Sequence, residues 1–210
     1  MFAMSTDALT RLHRKPDRAG DRALLDEILD EVKVGTLSTV IDGLPWSVPM
    51  LFARDGDRIL IHGSTGAGAL RHVATGAPVT LTAFVLDGLV IADTLFDHSA
   101  NYRSAVVRGT LDEVDVDPSH ALDVLSDKLI PGRPDEVRTH TGKEMAATAV
   151  LALPIREGQW ITKARSGPPG EPEDPSQWTG VVPARIAYDP PITSTGDEPP
   201  DSVRRLVGEN

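Results

Sequence analysis

Apolar and polar positions change period several times along the chain. Between residues 21 and 35, Leu24, Leu25, Ile28, Leu29 and Val32 recur at helical spacing, and Asp21 stands where a cap belongs. This predicts an amphipathic helix that ends at Gly35 and covers a core. From Thr36 to Val116 the period shortens. The runs TLSTVI, WSVPMLFA and RILIHG are separated by Asp42-Gly43 and Asp55-Gly56, and VTLTAFVL and LVIADTLF by Asp87-Gly88. Asp-Gly between β-branched apolar runs is a strong hairpin signal, so an antiparallel meander is expected. One helical interruption, GAGALRHVATG, falls at residues 66–76.

Helical spacing returns at residues 118–130, where Ala121, Leu122, Leu125 and Leu129 form a stripe stopped by Pro131-Gly132. Residues 134–144 read as a short helical or irregular link. AATAVLALPI and QWITKARSG read as a hairpin about Glu157-Gly158, and VVPARIAY as a last short strand. Between them, SGPPGEPEDP holds four prolines and two glycines in ten residues, which excludes a regular element. Residues 1–20 form a locally basic, flexible arm (Arg11, His13, Arg14, Lys15, Arg18), and residues 189–210 a disordered tail. Tight turns between strands, with no βαβ rhythm, predict an α+β, mainly β domain over residues 21–188: antiparallel strands closing into a barrel with flanking helices.

Composition narrows the function. Lys+Arg 21 against Asp+Glu 31 gives a net charge of −10, which argues against nucleic acid and anionic membranes as partners. No apolar run reaches membrane-span length, and the start lacks the apolar stretch of a secretory signal, so a cytoplasmic location is expected. Without cysteine there is no disulfide, thiolate metal site or thiol nucleophile.

Three clusters carry candidate chemistry. IHGSTGAGALR (residues 61–71) brings His62, Ser64, Thr65 and Arg71 around a glycine turn before a helix, a sensible phosphate cradle. The plainer alternative is a capped helix with Arg71 solvated. FDHSANYRSAVVRG (residues 96–109) crowds His98, Ser99, Asn101, Tyr102, Arg103 and Ser104 at the mouth of an apolar strand. There Tyr102 and Ser104 share one face and Arg103 the other. The alternative is a strand-edge loop with an ordinary arginine–carboxylate pair. In KARSGPPGEPEDPSQWTGVVPAR (residues 163–185), Trp178 is an unusual loop aromatic that either caps a flat ligand, seals a subunit interface or packs on its own subunit. His62, His72, His98, His120 and His140 show no H-E-x-x-H pairing, so no metal set is expected, although a single histidine in a pocket can bind a haem iron.

The order of these motifs, GTLSTV with PWSVPM, HGSTG with LR, VTLTAFVLDGLVIA, HSANYRS and WTGVVP, resembles the pyridoxamine 5'-phosphate oxidase-like family of FMN-binding split β-barrels. Its flavin-nucleotide-binding, nitroimidazole-resistance (Nim-like) branch is the most similar. The resemblance implies a homodimer with two FMN sites at the interface and an FMN-dependent oxidoreductase acting on a small molecule. FMN's phosphate would lie near Ser64, Thr65 and Arg71, with help from Ser99, Tyr102 and Ser104. Its ring would lie against residues 46–50 and 79–84, which include Thr82, and Trp178 of the partner would cover it. Asn101, Arg103 and His62 complete the expected cofactor set, and His98 is the candidate for proton transfer.

The chain departs from the family pattern twice. Relatives carry a basic residue near positions 68–69, where this chain has Gly68 and Ala69. The lost charge-assisted phosphate bond is worth about 1.5–3 kcal/mol, which Arg71 or Arg103 would have to supply. The histidine marking Nim-like nitroreductases is missing at the same positions. Relatives also carry a second histidine before His98, where this chain has Asp97. A carboxylate beside a histidine suits an iron ligand, so haem is the alternative cofactor, and a non-catalytic flavin-binding protein the alternative role.

Overall fold

Caps and turns place most of the elements. In the computed structural model, which describes residues 15–66, 68–114, 117–196 and 198–208, Asp21 accepts a hydrogen bond from the Leu24 amide at 3.0 Å. Helix α1 (Arg22–Glu31) follows, burying Leu25, Ile28 and Leu29. Strands β1 (Val34–Ile41), β2 (Leu44–Asp55) and β3 (Arg58–Ser64) come next, then α2 (Gly68–Ala74), β4 (Pro78–Ile91), β5 (Ser99–Thr110) and the two-residue β6 (Asp112–Glu113). The remainder is α3 (Pro118–Leu129), a 3-10 turn (Arg133–Glu136), α4 (Gly142–Ala147), β7 (Thr148–Pro154), β8 (Trp160–Arg165), β9 (Gly180–Pro183) and α5 (Asp201–Leu206). Residues 1–14 of the expected arm lie outside the described residues.

The chain divides into two compact units. In the second, comprising Lys33–Leu81, Arg108–Arg156 and the chain from Ala187, strands run in the order β6-β7-β3-β2-β1, and the pairs are antiparallel. The β1–β2 turn has Asp42 and Gly43 at φ 52° and 78°, the positive values that make Asp-Gly the preferred two-residue hairpin. Phe52, Ile59, Leu60, Ile61 and Leu153 are wholly buried in its core. Each such side chain contributes about 1.5–3 kcal/mol by leaving water. The stripe Ala121, Leu122 and Leu125 of α3 packs on Ala53, Leu60 and Ala152.

The first unit consists of the chain up to Val32, Thr82–Val107 and Glu157–Ile186. Its strands run β9-β4-β5-β8, with β9 antiparallel to β4 and β8 antiparallel to β5. Arg103 ties this unit together. Its guanidinium donates to both oxygens of Asp87 on β4 and to Glu27 and Glu31 of α1, at 2.5–3.2 Å.

Several expectations are corrected. Asp87-Gly88 is no turn, because β4 runs straight through it. Gly88 is there for close approach: a Cβ would meet the Val182 carbonyl of β9 at 2.8 Å. Asp87 is there for Arg103. The stretches flanking Glu157-Gly158 do not form a hairpin, since β7 pairs with β3 and β8 with β5. The last strand is confined to Gly180–Pro183. The link at 134–144 contains the start of α4, fixed by a capping box between Thr141 and Glu144. Within the tail expected to be disordered, α5 forms, and Ser202 is fully buried against Glu136.

Candidate functional site

Strands β2 and β3 of the second unit carry cavities on both faces. Successive residues of a strand point to opposite sides. Met50 and Gly63 line one cavity, while their neighbours Leu51 and His62 line the other.

The first cavity, of about 280 Å³, is an apolar slot bounded by Trp46, Val48 and Met50 of β2, Leu37 of β1, and Leu70 and Val73 of α2. Gly63 makes this packing possible, since a Cβ there would stand 3.1 Å from Leu70 Cδ2. The expected phosphate residues lie at the same end of β3. Ser64 is exposed and its Oγ accepts from the Gly66 amide at 3.2 Å. Thr65 is also exposed, its amide and hydroxyl both donating to the Ala147 carbonyl. Arg71 is exposed and has no ion-pair partner among the described residues.

The second cavity, of about 310 Å³, is walled by Leu122, Leu125, Ser126 and Leu129 of α3, with His62, His140, Leu51 and Thr148 completing it. The α3 residues fall at i, i+3, i+4 and i+7, one helical face. His62 is half-buried, and its Nδ1 is buried without a hydrogen-bond partner. Burial holds its pKa below the ordinary imidazole value, so the ring is neutral near pH 7. His140 differs: its Nε2 lies 3.3 Å from Asp123 Oδ1. Among the described residues no cluster of three or more histidine, cysteine or carboxylate groups could hold a bare metal ion.

In the first unit the polar mouth of β5 is largely engaged with protein. Asn101 is buried, donating to the Gly167 carbonyl at 3.0 Å and accepting from Arg165 at 2.6 Å. Arg103 is bound by three carboxylates, of which Asp87 and then Glu31 raise its pKa further. These protein partners are what the structure shows for the two residues expected to contact the cofactor. Tyr102 is half-buried, its ring 6.1 Å from that of Phe84. Ser104 and Thr82 are half-buried and Ser99 is exposed. His98 is exposed and its Nδ1 accepts from the Ala92 amide at 3.0 Å, which leaves Nε2 as the free position. Asp97 does not orient it. That carboxylate accepts from the Thr94 hydroxyl at 2.5 Å, so the expected Asp97–His98 pair is absent. Trp178 lies over Gly180 of its own chain yet keeps 66% of its surface exposed. Its loop is held where the Asp174 amide donates to Asp93.

Sequence reasoning named His62 without its cavity and missed His140 as its neighbour. The available signal was the α3 stripe ending at Leu129, eleven residues before His140. The 3-10 turn that joins them was read only as a link.

Antiparallel strands with flanking helices make this a mainly β split barrel. Residues 21–161 match the family model described as pyridoxamine 5'-phosphate oxidase, and the chain belongs to that family. It is 40% identical to the FAD and heme binding protein from Mycobacterium smegmatis, over 91% of this chain and 98% of that one, with a TM-score of 0.86. It is 30% identical to the flavocytochrome Anf3 from Azotobacter vinelandii, over 92% and 94% of the two chains, with a TM-score of 0.81. A protein assigned to 5-nitroimidazole antibiotic resistance from Bacteroides thetaiotaomicron shares the fold at 18% identity, over 68% and 83%, with a TM-score of 0.57. No curated protein matches the chain.

Proposed function

We propose that the protein is a flavin-binding oxidoreductase that carries haem as a second prosthetic group. The observation that carries this reading is the two-histidine cavity on the face of β3 opposite the slot. Its donor set fits a haem. A neutral imidazole is the form that binds iron, and the unpartnered Nδ1 of His62 gives that ring no competing role in the fold. The leucines of α3 suit an apolar macrocycle, and Asp123 behind His140 resembles the carboxylate partners of ligating histidines. Either His62 or His140 would hold the iron. The FAD and heme binding relative and the flavocytochrome support the pairing of cofactors.

The flavin would use the slot, with Trp46 and Met50 against a flat ring and Arg71 and Ser64 toward a phosphate. The family resemblance points to FMN, whereas the FAD of the 40% identical relative favours the dinucleotide. When bound, the flavin supplies hydride and electron exchange and the haem one-electron chemistry. The chain's own residues bind and orient these groups and keep water from the slot. His98, through its free Nε2, is the candidate for moving a proton.

The reading includes a homodimer. Phe84, Leu86 and Leu89 of β4 and Val182 of β9 are exposed apolar residues of the first unit, a patch that a second copy would cover. No described helix is long and apolar enough to cross a membrane.

Absorption spectra test the function directly. Purified protein should show flavin bands and a Soret band, and mass analysis of the released flavin separates FMN from FAD. His62→Ala and His140→Ala together should abolish the Soret band and keep the flavin. A double variant with an unchanged Soret band would remove the haem from this cavity. Protein that takes up neither cofactor would sink the whole reading.

A further inference from the structure

The wall of the two-histidine cavity is braced by the end of the chain. Leu129, the last residue of α3, and His140 both line the cavity, and residues 130–139 connect them. The C-terminal segment touches that connection directly through Ser202 and Arg205 and reaches its start through Lys33, all within the second unit. Lys33 donates to the Leu129 carbonyl at 2.7 Å and stands 5.0 Å above the ring of Tyr188. Arg205 donates to the Pro131 carbonyl and lies over Gly132, where a side chain would collide with it. Ser202 closes the set: its amide and hydroxyl donate to the two oxygens of Glu136, at 2.8 and 2.5 Å.

Ser202 is completely buried, whereas Ile192 in the same segment is 96% exposed. The segment is therefore anchored at its contacts. A tetrapyrrole held by His62 or His140 would press on the α3–His140 wall, which lines this cavity of about 310 Å³. The contacts that resist this pressure are those made by residues 188–206.

We infer that the C-terminal segment is a latch on the two-histidine cavity, closed by Glu136 and Ser202 and released when the cavity loads. This rests on the haem reading for its ligand, although the mechanical coupling stands on the contacts alone. Glu136 is here a positioning residue.

Two full-length variants and one cross-link test it. Glu136→Gln and Ser202→Ala should each take up haemin from solution faster, by about tenfold for loss of a bond to a charged group. The chain has no cysteine, so a Glu136→Cys/Ser202→Cys pair joined by a short bismaleimide closes the latch alone. Cross-linking should slow uptake below that of the unmodified chain. Equal uptake rates in all four proteins would overturn the latch. If the unmodified chain binds no haemin, the haem reading fails, and amide exchange then decides the coupling. Faster exchange in residues 125–130 and 137–140 of Glu136→Gln supports the latch, and unchanged exchange refutes it.

Discussion

Two short stretches both read as binding clusters, residues 62–71 and residues 97–104, and the structure treats them differently. At the mouth of β5, Asn101, Arg103, Asp97 and His98 all have protein partners within hydrogen-bond distance. Around β3 and α2 the polar groups are fewer, yet among the described residues Arg71 is exposed without an ion-pair partner and His62 keeps a buried nitrogen with none. A dense polar stretch thus marks a fold that needs its polar groups as readily as it marks a ligand. What distinguishes a site is polarity that the fold leaves unsatisfied.

The two arginines offer the largest contrast. Arg103→Ala leaves the Asp87 carboxylate of β4 without its partner and unties the two glutamates of α1 from β5. The glutamates are about half exposed, which discounts their share. We expect a loss of about 2–3 kcal/mol in urea unfolding, mainly from Asp87. Arg71→Ala should change stability by less than about 0.5 kcal/mol and weaken flavin binding at least tenfold, about 1.4 kcal/mol. Reversed outcomes would return Arg103 to the cofactor and leave Arg71 a solvated surface group.

How much of this was legible depended on whether the cause was local. Asp21 as a cap, the α3 stripe and Asp42-Gly43 as a turn are short-range chemistry and form as read, whereas α1 stops at Glu31 and Gly35, expected to end it, already lies in β1. Asp87-Gly88 has the same letters and another cause, since its two residues answer to Arg103 sixteen positions on and to β9 some ninety-five positions on. No local rule separates the two dipeptides. The same holds for the cavities. His62 and His140 meet because β7 pairs with β3 while α3 packs above them, a long-range arrangement that spacing does not encode. The C-terminal helix was missed because its stability comes from Glu136 and not from its own short, Pro-preceded sequence.

Smaller effects sharpen the contrast within the first unit. Asn101→Ala removes the partner of the Gly167 carbonyl and of Arg165, at a cost of about 1–2 kcal/mol measured by thermal or urea unfolding. Flavin and haem content should be unchanged; a selective loss of flavin would show that Asn101 serves the cofactor after all. Gly88→Ala pushes a methyl against the Val182 carbonyl, and β9 must shift, at about 1–2 kcal/mol. Amide exchange confined to β4 and β9 should rise. A neutral result would mean that Asp87-Gly88 tolerates a side chain as a genuine turn position does not.

The smallest effect concerns protons at His62. Burial holds its pKa below the ordinary imidazole value of 6.5 in the folded chain. Between the folded and unfolded values the unfolded chain binds more protons, so stability rises with pH across that window. The contribution of the neutral ring is complete above about pH 6.5 and is lost as pH falls through the folded pKa. The cofactor-free protein should therefore lose stability on going from about pH 8 to about pH 5 with a slope of less than one proton, and His62→Gln should lack that component. Urea unfolding of the two proteins across the range measures the difference. Identical pH profiles would mean that the ring takes up its proton as readily folded as unfolded, and His62 would not be the buried neutral ligand proposed. Ligation by iron would hold the ring unprotonated further into acid, so haem-loaded protein should keep its stability to lower pH than the free chain.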